Sequence, residues 1–152
     1  MRKVNSLLHE SIDRDKFVTA FYGVLDVKNR ALVFSNAGHN PPLLLRKDGT
    51  LEPLVEGGVA LGVLPDALYE ERPLALSPGD TLLFYTDGVS EAESPTGEQY
   101  GQSRLEQLLI RLQGRPAQQI LDGVVEDVLA FAGARGQNDD LTLMVVRVLE
   151  TA

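Results

Sequence analysis

Two short runs of the chain are apolar at nearly every position, and they constrain the fold more than any other feature. They are residues 81–86 (TLLFYT) and residues 141–148 (LTLMVVRV). A strand that is apolar on both faces is expected to be covered on both sides of its sheet. The chain is therefore predicted to fold in layers around two buried strands.

The rest of the pattern predicts further strands and helices on either side of these runs. Helical spacing is found in residues 4–12, 103–113 and 116–132, and strand patterns in residues 17–26, 31–34, 43–46 and 69–76. We expect the first three strands to form an antiparallel meander, with polar turns between them. Six or so mostly antiparallel strands with helices towards both ends of the chain predict an α+β layered fold.

Length and charge limit the classes of protein to consider. The 152 residues suit one domain, so residues 1–152 are interpreted as a single domain. A net charge of −8 disfavours nucleic acid as a partner. No apolar run is long enough to cross a membrane and no leader pattern is visible, so we expect a cytoplasmic protein. The chain has no cysteine, so any metal would need oxygen or histidine ligands.

Aspartates flank the two apolar runs. Asp87 follows the first run directly and precedes Gly88, whereas Asp139 and Asp140 precede the second run. If the two strands are antiparallel neighbours, these carboxylates meet at one rim of the sheet and repel each other. A hard divalent cation, Mg²⁺ or Mn²⁺, would neutralise them. The alternative is a simple turn and a polar strand entry, and spacing alone leaves both interpretations open.

Five segments carry a more specific signal. They are residues 17–26 (FVTAFYGVLD), 36–42 (NAGHNPP), 60–63 (ALGV), 83–92 (LFYTDGVSEA) and 138–143 (NDDLTL). In this order they resemble the motifs of bacterial PPM-type phosphatases, in the SpoIIE-like branch that includes the RsbU regulators. The resemblance implies a β-sandwich flanked by helices and a binuclear Mn²⁺ or Mg²⁺ centre that hydrolyses phosphoserine or phosphothreonine on a protein. It also implies that Asp87 and Asp139 are metal ligands.

One motif of that family has no counterpart in the chain. Members carry a Gly-Asp-(Val or Met)-x-Gly-Lys-Gly motif before the FVTAFYGVLD strand, and its Asp and a neighbouring Gly carbonyl complete the metal site. Residues 1–16 contain only Asp13 and Asp15, outside such a context. The chain is therefore interpreted as the C-terminal portion of a phosphatase domain, incomplete at its N-terminus, with an incomplete metal site and weak or no activity alone.

The resemblance suggests a phosphorylated anti-anti-sigma-type protein as substrate, within bacterial partner-switching signalling. A non-catalytic protein-binding module derived from the same fold is the main alternative, and a metal-buffering or structural domain is a further one. A strand edge or apolar surface left open by the missing region favours a homodimer.

Several other residues are candidates for supporting roles. His39 is interpreted either as a structural residue of its loop or as an acid–base group near substrate. Gly88, Asp140 and Gly62 are predicted to lie around the metal ligands. Asp139 is preferred to Asp140 as the ligand because neighbouring strand residues point to opposite faces. Two further expectations are that Glu91 is an exposed loop acid or lies near the metal ligands, and that His9 is solvated. Along the opening helix, Val4, Leu7, Leu8 and Ile12 are expected to be core or a protein interface.

Overall fold

The structure is a computed structural model that describes residues 1–13, 15–133 and 140–150. The chain divides into two compact units, the first made of Met1–Pro41 and Leu54–Leu76, the second of Pro42–Pro53 and Ser77–Ala152. In chain order the elements are α1 Arg2–Ser11, β1 Ala20–Asp26, β2 Ala31–Ala37, β3 Leu43–Leu45, β4 Leu51–Pro53, β5 Gly57–Gly58, β6 Arg72–Ala75, β7 Thr81–Tyr85, α2 Asp87–Ser90, α3 Gln102–Arg111, α4 Ala117–Ala132 and β8 Leu143–Arg147.

The first unit is organised around β2. Strand β1 pairs antiparallel with β2 over seven residues, as the hairpin pattern predicts. On the other side of β2, strand β6 pairs with β2 in antiparallel orientation, and the two glycines of β5 pair with β2 in parallel orientation. The side chain of Phe34 on β2 is 1% exposed and stacks on Phe21 with ring centroids 5.3 Å apart. The aromatic pair anchors the hairpin in this unit.

The opening helix forms as its spacing predicts, but its burial differs from the expectation. Val4 and Leu7 are 50% and 58% exposed, whereas Asn5 between them is 1% exposed. Val4 and Leu7 therefore do not belong to the core, and the other alternative, a protein interface, stays a prediction. The helix is attached to its unit by the hydrogen bonds of Asn5, which take the place of an apolar contact at that position.

The second unit contains an antiparallel sheet in the order β4-β3-β7-β8. Strand β7 lies between β3 and β8, and its Leu82 and Leu83 are buried, which confirms the central position predicted from its apolar sequence. Helices α3 and α4 cover one face. The core of this unit consists of Leu43, Leu45, Leu83, Tyr85, Val89, Tyr100, Leu105, Leu108, Leu109, Ile120, Val124 and Val128. Each buried leucine contributes about 2 kcal/mol to its stability.

Two expectations about strands are wrong. Strand β3 pairs with β4 and β7 and does not extend the β1–β2 hairpin. The prolines at positions 41 and 42 lack an N–H and interrupt the ladder just before β3, so the chain leaves the first sheet there.

Strand β8 is the second correction, because it lies at the edge of the described sheet and is not covered on both faces. Its residues Leu143 and Val145 pack on the core of the second unit, whereas Met144 is 52% exposed. In the described ranges, no helix is both long and apolar enough to cross a membrane.

Candidate metal centre

Asp87 stands where β7 ends and α2 begins. Its side chain is exposed, and its Oδ1 accepts a hydrogen bond of 3.0 Å from the backbone N–H of Gly88. The backbone N–H of Glu91 donates to the Asp87 carbonyl at 2.7 Å and ends the short helix. Gly88 is buried and Glu91 is exposed. The turn therefore presents one carboxylate to solvent at the rim of the second unit.

Thr86 fastens the start of β8 beside this turn. Its backbone N–H donates to the Thr142 carbonyl at 3.2 Å, and its Oγ1 accepts from the Thr142 N–H at 3.3 Å. The same hydroxyl lies 3.4 Å from the Asp140 carbonyl oxygen, to which it donates. Since β7 and β8 are antiparallel neighbours, Asp140 lies on the same rim as Asp87, as the sequence predicts. Asp139, the second predicted ligand, lies outside the described residues.

The donors at this rim suit a hard divalent cation in kind. Carboxylate oxygens are the ligands that Mg²⁺ and Mn²⁺ prefer, and the Oδ2 of Asp87 makes no hydrogen bond within the described ranges. Their number is small: among residues 1–13, 15–133 and 140–150, no group of three or more His, Cys, Asp or Glu could hold a metal ion. The described residues thus fit part of a metal site.

The loop that carries His39 belongs to the first unit and is shaped by Asn36. The Asn36 side chain, in a residue that is 4% exposed, donates to the carbonyls of His39 at 3.0 Å and Leu54 at 3.2 Å. It also accepts from the His39 N–H at 2.8 Å. The described hydrogen bonds of His39 thus use its backbone, and an acid–base role for its ring stays a prediction. Sequence reasoning missed Asn36, although it opens the NAGHNPP segment.

Gly62 lies in a second loop of the first unit, held by α1. Its φ is +88°, and a Cβ at this position would lie 2.6 Å from Ile12 Cδ1, so glycine is favoured here. Its N–H donates to Asn5 Oδ1 and its carbonyl accepts from His9 Nδ1, both at 2.8 Å. The expectation that His9 is merely solvated is therefore wrong, because its exposed ring binds this loop.

Asn5 is the main residue of that attachment and was missed from the sequence. Its Nδ2 also donates to the carbonyls of Leu64 at 2.8 Å and Pro65 at 3.1 Å, and its Oδ1 accepts from Tyr69 at 3.0 Å. A polar residue on the side of a helix that faces the protein is the signal that could have identified it.

Comparison with known proteins identifies the family. Residues 1–149 match the model described as Stage II sporulation protein E (SpoIIE). The chain belongs to this family, which confirms its resemblance to PPM-type phosphatases of the SpoIIE-like branch.

Two relatives match most of this chain and are longer than it. It is 36% identical over 135 residues to Protein IcfG of Synechocystis sp., covering 88% of this chain and 21% of that protein. It is 26% identical over 148 residues to phosphoserine phosphatase RsbU of Bacillus subtilis, covering 97% of this chain and 44% of RsbU. The chain thus spans less than half the length of either relative, and by family it is a protein phosphatase domain.

Solved structures agree on the fold. The RsbU and RsbW domains of a Mycobacterium tuberculosis protein superpose with a TM-score of 0.75 at 27% identity, covering 95% of this chain and 40% of that one. The phosphatase domain of SpoIIE from Bacillus subtilis, presoaked with Mn, gives 0.73 at 22% identity, covering 99% and 66%. The predicted α+β fold of PPM phosphatases is confirmed.

Proposed function

We propose that the chain is the portion of a metal-dependent serine/threonine protein phosphatase that supplies Asp87 and Asp139 as ligands. The observation that carries the proposal is the rim of the second unit, where Thr86 fastens the start of β8 beside the exposed carboxylate of Asp87. Membership of the SpoIIE family and the name of its relative RsbU support a phosphorylated protein as substrate. Within that class we favour an anti-anti-sigma-type protein in partner-switching signalling.

The Asp87 carboxylate and the backbone N–H of Gly88 form the part of the rim that would bind a cation. The Gly88 N–H binds one oxygen of the Asp87 carboxylate, which leaves Oδ2 for a cation. When bound, a divalent cation supplies an activated water and neutralises charge on a phosphoryl group. The proposed cation is Mn²⁺ or Mg²⁺, and the related SpoIIE phosphatase domain is described as presoaked with Mn. Asp140 and Gly88 are proposed to lie near the ligands, and His39 is proposed to be a structural residue of its loop.

The small number of donors sets the expected activity. Two carboxylates carry −2 against +4 for two divalent cations, so a binuclear centre lacks charge and ligands. We propose that a segment bearing the Gly-Asp motif of the family completes the centre, and that this chain alone is weakly active or inactive. A cytoplasmic location and a homodimer are parts of the same proposal. Strand β1, which pairs with β2 alone among the described strands, supports the homodimer.

A second candidate function has one observation in its favour. The Gly-Asp motif of the family has no counterpart in residues 1–16, so the chain would also suit a module that binds the same phosphoprotein without hydrolysing it. The two functions differ in how they depend on metal. A binding module keeps its partner when Asp87 is neutralised, whereas the phosphatase loses its centre.

Calorimetric titration with Mn²⁺ tests the ligand assignment. We expect the unchanged chain to bind one Mn²⁺ weakly and Asp87→Asn to lower the affinity about tenfold or more, equivalent to about 1.4 kcal/mol. Glu126→Gln is the matched control, because it removes the same charge from an exposed position of α4. Equal affinities in all three proteins would show that Asp87 is not a ligand.

Turnover of a phosphoserine protein tests the activity itself. The chain should gain Mn²⁺-dependent hydrolysis when joined to a segment with the Gly-Asp motif, and Asp87→Asn in that longer protein should abolish it. Equal turnover by the short and the joined proteins would contradict the placement of the metal site. Binding of the phosphoprotein without turnover, unaffected by Asp87→Asn, would establish the binding module instead.

A further inference from the structure

A cavity of about 420 Å³ lies in the second unit, at the end of β7 and β8 opposite to Asp87. The register places Thr81 opposite Arg147 at this end and Tyr85 opposite Leu143 at the other, roughly 14 Å along the strands. Its lining includes Lys47, Gly79, Gln113, Arg147 and Glu150. The cavity is thus separate from the candidate metal centre.

Arg147 is the unusual member of this lining. Its Nε is buried and has no hydrogen-bond partner within the described part of the chain. A guanidinium stays charged at any physiological pH and can only donate, so a buried N–H of this group without an acceptor is unfavourable. An acceptor from outside the chain would satisfy it.

The carboxylates near this end of the sheet are already bound to other cations. Asp80 is buried and accepts from Arg46 Nη1 at 2.8 Å. Glu52 lies 3.8 Å from Arg46 Nη2, and Glu150 pairs with Lys47 at 2.9 Å. Among the described residues, Arg147 makes no ion pair, although acidic residues outnumber basic ones and the net charge of the chain is −8.

Lys47 is held at the mouth of the cavity by its surroundings. Gly79 has a φ of +96°, and a Cβ there would lie 2.9 Å from Lys47 Cδ, so the absence of a side chain makes room for the lysine stem. Gln113 Nε2 donates to the carbonyls of Arg46 at 3.1 Å and Lys47 at 3.0 Å and fixes the backbone of this wall. The hydrogen bond and charge of Lys47 hold the pKa of Glu150 below its ordinary value, so Glu150 competes as an anion.

We propose that this cavity binds a phosphate-type oxyanion between the Arg147 guanidinium and the Lys47 ammonium. Arginine matches phosphate oxygens with several parallel donors, and two cations suit a doubly charged group. The anion would give the buried Nε its acceptor and would displace Glu150 from Lys47. Its source is either free phosphate or the phosphoryl group of a phosphoserine residue on another protein.

Titration of the full metal-free chain with inorganic phosphate tests the site, with the NMR signal of the Arg147 Nε–H group as the readout. Chelation of metal and constant ionic strength keep the Asp87 rim out of the measurement. We expect a saturable shift of this signal. Lys47→Gln should weaken binding several-fold, and Glu150→Gln should strengthen it because the competing carboxylate is removed.

In Arg147→Gln, which lacks this NMR signal, phosphate binding is measured by calorimetry and should be about tenfold weaker or more, whereas Arg111→Gln on the exposed end of α3 should leave it unchanged. Because Lys47 and Glu150 are both exposed, their variants stay informative even if Arg147→Gln does not fold. Tighter binding of a phosphoserine peptide than of phosphate would identify a partner protein as the source, and the reverse order would identify free phosphate. The absence of a saturable shift, or equal saturation by acetate, would overturn the proposal.

Discussion

The two ends of β7 each carry an aspartate, and the two carboxylates have opposite surroundings. Asp80 precedes the strand and is 1% exposed, and its carboxylate accepts from Arg46 and from the backbone N–H groups of Ser77 at 2.9 Å and Lys47 at 3.3 Å. Asp87 follows the strand and is exposed, and among the described residues its carboxylate accepts only from the backbone N–H of its neighbour Gly88. The first carboxylate is fully used by the fold, whereas the second remains available to a ligand.

The largest expected effect on stability comes from neutralising Asp80, and the same substitution at Asp87 serves as the comparison. Asp80→Asn leaves Arg46 without its buried partner and should lower the free energy of unfolding by about 3 kcal/mol. Asp87→Asn should change it by less than about 0.5 kcal/mol, because the group is exposed. Urea unfolding of the two variants measures both values.

The comparison would fail if the two substitutions had equal effects on stability. A large loss in Asp87→Asn would mean that the turn depends on its charge. A negligible loss in Asp80→Asn would mean that the interactions of Arg46 with Glu52 are sufficient at this end of the strand.

The local sequence does not distinguish these two aspartates. Each lies beside a glycine at an end of the same apolar run, in Gly79-Asp80 and in Asp87-Gly88. Arg46, which decides the role of Asp80, is 34 positions away, and pairing between distant residues cannot be read from spacing. The sequence favours Asp87 because Asp139 and Asp140 precede the second apolar run at the same predicted rim, and the family motif then assigns Asp87 as a ligand.

Pairing between distant residues cannot be read from local sequence, and this also explains which parts of the fold were predicted. The central place of β7 agrees with its apolar residues, but the same pattern gave the wrong position for β8, whose Met144 is 52% exposed. The partner of β3 depends on the whole chain, and the meander interpretation therefore failed. Asn5 was missed because its side chain donates to backbone carbonyls 59 and 60 positions later, at Leu64 and Pro65.

A third carboxylate of the second unit is expected to show an intermediate effect. Asp127 accepts a hydrogen bond of 2.6 Å from the hydroxyl of Tyr100, a residue that is 1% exposed. Tyr100→Phe removes a neutral donor instead of an ion-pair partner, and Asp127 is only half-buried. We expect a loss of about 1.5 kcal/mol in urea unfolding, about half that of Asp80→Asn.

The pH dependence of stability sharpens this prediction. Burial, together with the hydrogen bond to Asp127, raises the pKa of Tyr100 above its ordinary value of 10. The folded chain therefore keeps a proton that the unfolded chain loses above pH 10, so stability falls as the pH rises.

Tyr100→Phe should make this alkaline loss less steep. Some loss should remain, because burial and the charge of Glu106 raise the pKa of Tyr85 to about 12. The test is the free energy of unfolding of the unchanged chain and of Tyr100→Phe, measured between neutral and alkaline pH. Identical slopes of this free energy against pH would contradict the raised pKa of Tyr100.

An effect on stability smaller than that of Tyr100→Phe is expected at Thr86, which binds the start of β8 at the Asp87 end of β7. The Oγ1 of Thr86 makes bonds of 3.3 Å to the Thr142 N–H and 3.4 Å to the Asp140 carbonyl, both longer than the Arg46–Asp80 bond of 2.8 Å. Thr86→Val keeps the shape and removes the hydroxyl, so it should cost less than about 1 kcal/mol. Hydrogen exchange at the Thr142 amide should accelerate several-fold, because that N–H loses its acceptor, and Mn²⁺ affinity should fall with it. Thr86→Ser, which retains the hydroxyl, should restore both. Unchanged exchange in Thr86→Val would mean that the backbone pairing of β7 and β8 alone positions Asp140, and that the Asp87 end needs no clamp beyond its strands.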